Sequence, residues 1–331
     1  MHRAAAAGAP TVTPTAVVAI GGNALTAQGE RGTAGQIAAN AGRMAGCLAG
    51  LAAAGWQLAV VHGNGPQVGA LAMQQDAAEH EVPPQPLHDL CAMTQGQLGS
   101  VLVRALDAHL GRGRAVALVT HVSVDLDDAA FAAPTKPIGP FFTQARAVEL
   151  AGERGWHVAE DAGRGWRRVV PSPRPGEVVE LGAIRTLLAA GHVVLATGGG
   201  GVAVVKDHDG SLRGVDAVID KDLAAAALAT SLGASELYLV TGVDCVQLDF
   251  GTPEQRPVHT MTVPQAQGHL SDGQFPAGSM GPKVDAALRF LRAGGSRAII
   301  TSAECLAAAA AGEPGVGTAI VSDAPAVGLA S

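Results

Sequence analysis

Short apolar runs recur along this chain at residues 16–20, 57–61, 115–120, 192–197, 236–241, 298–301 and 318–321. Each is four to six residues of mostly Val, Ile, Leu and Ala, which reads as a buried strand. Between them lie Ala- and Leu-rich segments of helical length, at 33–54, 66–80, 93–110, 177–190, 221–232 and 282–293. Glycine stands just past five of these, as Gly55, Gly111, Gly191, Gly233 and Gly294. That is the C′ position, where a helix ends on a left-handed residue. Strand and helix in alternation argue for a mainly parallel sheet covered by helices on both faces.

Residues 125–175 break this rhythm with prolines, glycines, arginines and aromatics, among them Pro134, Pro137, Pro140, Phe141, Trp156 and Trp166. A crossover should be short, so a segment of this length predicts a small folded excursion projecting from the body. A hairpin is expected at 202–205 and 212–218, turning at Asp207-His208-Asp209-Gly210. Residues 1–15, rich in Ala, Thr and Pro, read as a disordered tail on a cytoplasmic protein; the Ala4 to Ala7 stretch is too short for the apolar core of a signal peptide.

Three of the strands end in glycine clusters: Gly21-Gly22-Asn23, His62-Gly63-Asn64-Gly65 and Gly198-Gly199-Gly200-Gly201. At the carboxyl end of a parallel strand, glycine lets backbone N–H groups approach an anion, and the following helix adds its positive dipole end. The four consecutive glycines are expected to donate amides to a ligand rather than to serve packing alone. The spacing Gly63, Gly65, Gly69 has one residue too many for a dinucleotide fingerprint, and no acidic residue ends a second strand about 20 residues on, so a Rossmann oxidoreductase is disfavoured. No GxxxxGK[ST] loop and no GxSxG elbow occurs.

A net charge of −7 and 3% aromatic residues argue against a nucleic-acid partner, and no apolar run approaches a membrane span. Negative substrates must then be caught locally, by lysines that are scarce enough to inspect singly: Lys136, Lys206, Lys221 and Lys283. Lys206 precedes the polar hairpin turn and reads as a solvated surface charge. Lys221 stands where an apolar run passes into a helix, a place unfavourable for positive charge unless an anion answers it. Lys283 follows Gly278-Ser279-Met280-Gly281-Pro282 at the opening of another helix, and Lys136 is flanked by Pro134 and Pro137 in the excursion. Thr241-Gly242-Val243-Asp244 closes a strand and suits the wall of a nucleotide pocket. Cys47, Cys91, Cys245 and Cys305 have no paired spacing, and the eleven histidines form no ligand-spaced pair; no protein-held metal is expected. His62 and His121 take no role, and Arg164, Arg167 and Arg168 can either bind anion or brace the excursion.

Seven of these stretches together resemble the carbamate kinases, a branch of the amino acid kinase family. They are residues 20–25, 62–69, 134–141, 161–172, 198–201, 218–223 and 277–283, in family order from about residue 16 to the end. Pro134-Thr135-Lys136-Pro137-Ile138-Gly139-Pro140-Phe141 and 161–172 are the most specific to that branch. The resemblance implies a three-layer αβα sandwich with an open, mainly parallel sheet and a protruding subdomain at about 125–175. It implies one kinase domain at 16–331, with a carbamate-binding lobe at 16–215 and a nucleotide-binding lobe at 216–331. A homodimer and Mg²⁺-dependent transfer between ATP and carbamate are also implied, the physiological direction often being ATP formation from carbamoyl phosphate and ADP.

Carried over by position, Lys221 and Lys283 would hold the transferring phosphoryl group, Asp222 would orient the lysines, and Lys136 would meet carbamoyl phosphate. Gly21, Gly22, Asn23, Gly63, Asn64, Gly65, Gly199 and Gly200 would line the substrate site. Thr241, Gly242, Val243, Asp244, Ser279 and Met280 would line the nucleotide site. Other amino acid kinases usually carry a lysine before the first glycine pair, where this chain reads Val17-Val18-Ala19-Ile20, and Lys136 stands in for that charge. Two alternatives remain at this level: another small carboxylate or phosphonate acceptor, and a nucleotide-binding regulator without turnover, which the four retained catalytic positions oppose.

Overall fold

The computed structural model describes residues 13–322 apart from Gln28, Ala162 and Ala277. In β1 (Thr15–Ile20) every residue after Thr15 is fully buried, although alternate side chains point to opposite faces, so the strand must be covered above and below. Most of the expected tail, residues 1–12, lies outside the described residues; Thr15 belongs to the sheet, paired with Gln57.

After β1 come α1 (Ala34–Ala53), β2 (Gln57–His62), α2 (Gln67–Ala78), α3 (Leu87–Leu110), β3 (Ala115–Ala117) and β4 (His121–Ser123). The excursion holds α4 (Ala129–Ala132), β5 (Lys136–Phe142), α5 (Gln144–Arg154), β6 (His157–Glu160) and β7 (Trp166–Val170). Next are α6 (Leu181–Ala189), β8 (Val193–Leu195), β9 (Val202–Lys206), β10 (Leu212–Gly214) and α7 (Lys221–Leu232). The chain closes with β11 (Glu236–Val240), β12 (Val246–Leu248), β13 (Arg256–Val258), β14 (Thr260–Thr262), α8 (Val263–Ser271), α9 (Met280–Arg292), β15 (Arg297–Thr301), α10 (Leu306–Ala311) and β16 (Thr318–Val321).

Eight strands form the main sheet in the order β14-β16-β15-β11-β1-β2-β8-β3. All of its pairings are parallel except β15 with β16. One face buries Val17 and Ala19 with Ile184 of α6, Leu228 of α7 and Val284 of α9. The other buries Ala16, Val18 and Ile20 with Leu48 of α1, Leu102 of α3 and Leu306 of α10. This is the expected three-layer αβα sandwich. The five glycines read as C′ residues all have positive φ, from +67° to +101°.

The excursion is a three-stranded antiparallel sheet, β5-β7-β6, with α5 beside it. Ile138 and Val170 share an apolar cluster with Val68, Leu87, Leu90 and Val218, so it rests on α2 and α3. The approach is close: a Cβ on Gly69 of α2 would lie 2.7 Å from the Cα of Gly139 in β5.

Some boundaries differ from expectation. The run 115–120 divides, because Thr120 gives its N–H and hydroxyl to the buried Gln95 carboxamide; β4 beyond it joins β9 and β10 in a separate sheet. The run 192–197 ends at Leu195, and Thr197 turns left-handed at φ +47°. Helix α3 starts at Leu87 rather than 93, since extended Pro86 serves as its N-cap. Among the described residues no helix is long and apolar enough to cross a membrane.

Candidate active site

Because β1, β2, β8, β11 and β15 run parallel, their carboxyl ends share one edge of the sheet, and the turns that follow them stand side by side. The first two touch backbone to backbone. A Cβ on Gly22 would lie 2.8 Å from Gly65 Cα, and one on Gly63 would lie 2.9 Å from Gly22 N and 3.2 Å from the Cδ of Lys221. Any side chain at these glycines would separate the turns and displace that lysine. Asn23 belongs to the short 3₁₀ turn Gly22–Ala24.

Above this edge opens a cleft of about 670 Å³. Gly21, Gly22, Gly63, Asn64, Gly65 and Gly199 form one side of its wall, and Thr241, Gly242, Val243, Ser279 and Met280 contribute another. Gly200 and Asp244 stand outside the wall. Part of the four-glycine run is engaged within the protein itself. The amides of Gly200 and Gly201 are used by the carbonyls of Thr197 and Gly198. Packing also explains the run: added Cβ atoms would overlap the His62 ring at Gly198, the Asn64 carboxamide at Gly199, the Ile219 backbone at Gly200 and Val122 at Gly201. Of the four, Gly199 alone lines the cleft, at φ +67°. Asn64 is itself fixed from behind, accepting a 2.6 Å hydrogen bond from the Thr94 hydroxyl.

On the floor of the cleft two lysines meet one carboxylate. Lys221, the first residue of α7, places Nζ 2.5 Å from Oδ1 of Asp222, and Lys283, in the first turn of α9, places Nζ 3.0 Å from Oδ2. Asp222 is only 3% exposed. Burial alone would raise its pKa; the two ammonium groups outweigh that and hold the carboxyl at about 2. Burial pushes the Lys221 ammonium below its usual range, Asp222 opposes the change and Lys283 adds to it. Two cations on one anion leave an excess positive charge in a desolvated place, which favours a bound anion. Lys136 arrives from the excursion, its Nζ 2.7 Å from Oδ2 of Asp220.

The sequence profile of the Amino acid kinase family matches residues 14–302. The chain belongs to the amino acid kinase family. Carbamate kinase from Pyrococcus horikoshii is 44% identical over 305 residues, spanning 90% of this chain and 97% of that one. Carbamate kinase from Giardia lamblia, solved bound to AMP-PNP, superposes with a TM-score of 0.86 at 40% identity, covering 94% of this chain and 99% of the other. The same Giardia enzyme bound to citric acid gives a TM-score of 0.87 over the same coverage. The carbamate kinase resemblance read from the sequence is thereby borne out.

In this amino acid kinase several wall residues had no place in the sequence reading. Arg43 and Asn40 reach the cleft from α1, and Gln247, Phe250 and Glu304 line it near the carboxyl-terminal strands. Arg43 is the single charged residue of α1, a signal that singles it out. Asp220 is the N-cap of α7, its Oδ1 accepting from the amides of Asp222 at 2.9 Å and Leu223 at 3.4 Å. The arginines divide. Arg167 lines the cleft while donating to the Gly139 carbonyl at 3.1 Å and to Asp161 at 2.9 Å; Arg164 braces Asp161 at 3.0 Å, and Arg168 stacks on Trp156. His62 is buried, which pushes its pKa down, and its ring Nδ1 lies 3.0 Å from the Gly63 carbonyl; His121 bonds Glu180 at 2.7 Å. Among the described residues no group of three or more His, Cys, Asp or Glu side chains is placed to hold a metal ion.

Proposed function

We propose that this amino acid kinase transfers a phosphoryl group between ATP and carbamate, working toward ATP from carbamoyl phosphate and ADP. The observation that carries the reading is the convergence of Lys221 and Lys283 on Asp222 beside the glycine turns, at the floor of one cleft. A migrating phosphoryl group needs in-line placement and charge neutralisation, with no covalent intermediate on the protein. Lys221 and Lys283 would neutralise its equatorial oxygens, and Asp222 keeps both ammonium groups in place before substrate arrives. Gly21, Gly22, Gly63, Gly65 and Gly199, with Asn64, form the wall offered to carbamate or carbamoyl phosphate. Thr241, Gly242, Val243, Ser279 and Met280 form the wall offered to the nucleotide, and Lys136 meets the carbamoyl phosphate from the excursion.

The donor set fits a cation that arrives on the nucleotide, because the carboxylates of Asp220 and Asp222 are already engaged by lysines and backbone amides. The chemistry Mg²⁺ would supply there is charge neutralisation of the nucleotide's phosphates, alongside Lys221 and Lys283. Four free cysteines suit a reducing cytoplasm, and the same reading includes a homodimer. The test is to mix the purified protein with Mg²⁺, ADP and carbamoyl phosphate and follow ATP. Absence of ATP formation refutes the reading, and formation of ATP only with acetyl phosphate or another acyl phosphate would reassign the acceptor.

A further inference from the structure

Asp220 does two things with one carboxylate. Oδ1 caps α7 through the amides of Asp222 and Leu223, and Oδ2 takes the Lys136 ammonium at 2.7 Å. Lys136 stands on β5 of the excursion, opposite Val170 of β7, whereas Lys221 is the first residue of the capped helix. The single side chain thus ties the ammonium brought by the excursion to the helix that presents Lys221 and Asp222.

We infer that Asp220 is a positioning residue for phosphoryl transfer, aiming Lys136 into the cleft at a fixed place relative to the Lys221–Asp222–Lys283 group; the inference rests on the function proposed above. Capping alone does not call for an acid here, because Asn and Ser cap helices about as well as Asp. The apolar contacts of Ile138 and Val170 orient the excursion but leave the four-carbon lysine stem free to disperse its charge. Asp220 removes that freedom while using one of the three ammonium donors, and the remaining two can bond a phosphate or carbamoyl oxygen. A carboxylate that merely competed with substrate for Lys136 would have the opposite effect on binding.

Asp220→Asn separates these roles by keeping the cap and removing the charge. The variant is expected to melt at the wild-type temperature, to raise the KM for carbamoyl phosphate roughly tenfold, the effect of losing one charge-assisted hydrogen bond, and to leave the KM for ADP unchanged. Combined with Lys136→Ala it should be no worse than Lys136→Ala alone. Asp220→Ser, which caps with a hydroxyl, is expected to show the same split between the two substrates, so that misfolding of one variant does not hide the effect. A carbamoyl phosphate KM that is unchanged or lowered in the folded variants overturns the inference, as does a double variant whose defects multiply. A wild-type protein that makes no ATP from carbamoyl phosphate would instead sink the proposed function.

Discussion

Replacing Asp222 by Asn preserves the outline of the side chain and removes the charge between two buried lysines. Holding a buried carboxyl at about 2 instead of 3.8 corresponds to about 2 kcal/mol of preference for its charged form in the folded protein. The substitution should cost more than that. It leaves Lys221 and Lys283 facing each other without the group both of them bond, and removing one partner from a buried ion pair typically costs about 3–5 kcal/mol. Urea denaturation followed by the fluorescence of Trp56, Trp156 and Trp166 should show that loss at pH 7. The pH dependence gives a sharper check. Because the folded-state value is depressed, the contribution of Asp222 is complete above about pH 4 and is lost as pH falls through about 2. The wild-type advantage that comes from this ionisation should therefore shrink by about half by pH 3. Inorganic phosphate should stabilise the variant more than the wild type, since a bound anion replaces the missing charge. A variant that unfolds at the wild-type urea concentration at pH 7 would show that this carboxylate does not hold the lysines.

Three further outcomes follow from the same site. Lys221→Ala and Lys283→Ala should each lower turnover in the ADP and carbamoyl phosphate assay by orders of magnitude while the protein stays folded by circular dichroism; near-normal rates in either would remove its assigned role. Lys136→Ala should act chiefly on the concentration dependence for carbamoyl phosphate, and an unchanged dependence counts against its placement over that substrate. Gly199→Ala adds a side chain at φ +67° where its Cβ would overlap the Asn64 carboxamide, so a loss of about 1–3 kcal/mol in stability is expected together with slower turnover; wild-type values for both would show that Asn64 yields without consequence.

The layers of the fold were legible because burial on both faces writes itself as unbroken apolar runs, as at Val17 and Val18, and because Gly55 or Gly233 marks a helix end. The lysines were legible because only four occur and three stand in glycine- or proline-rich surroundings. What escaped depends on side chains that are distant in sequence. Thr120 stops a strand because Gln95, on α3, bonds it, and Asp220 pairs with Lys136 across 84 positions of sequence. Helix α8 buries only Ala266, so its sequence carries little apolar periodicity, and β12 and β13 are three-residue strands below the length at which alternation can be read. The glycine run reads two ways for a physical reason: composition shows that side chains are absent, but not whether a ligand or a neighbouring residue occupies their place.

The floor of the cleft carries two ammonium groups and one carboxylate, yet the molecule around it has a net charge of −7. An anionic substrate is therefore repelled by the exterior only once it comes within about 8 Å of the surface, the screening distance at physiological ionic strength, and feels little of that charge farther out. Moderate salt weakens that outer repulsion and hardly touches the attraction of the recessed lysines. Capture of anions by this protein should accordingly tolerate ionic strength, or gain from it, where an enzyme that gathers substrate across a basic surface would slow down.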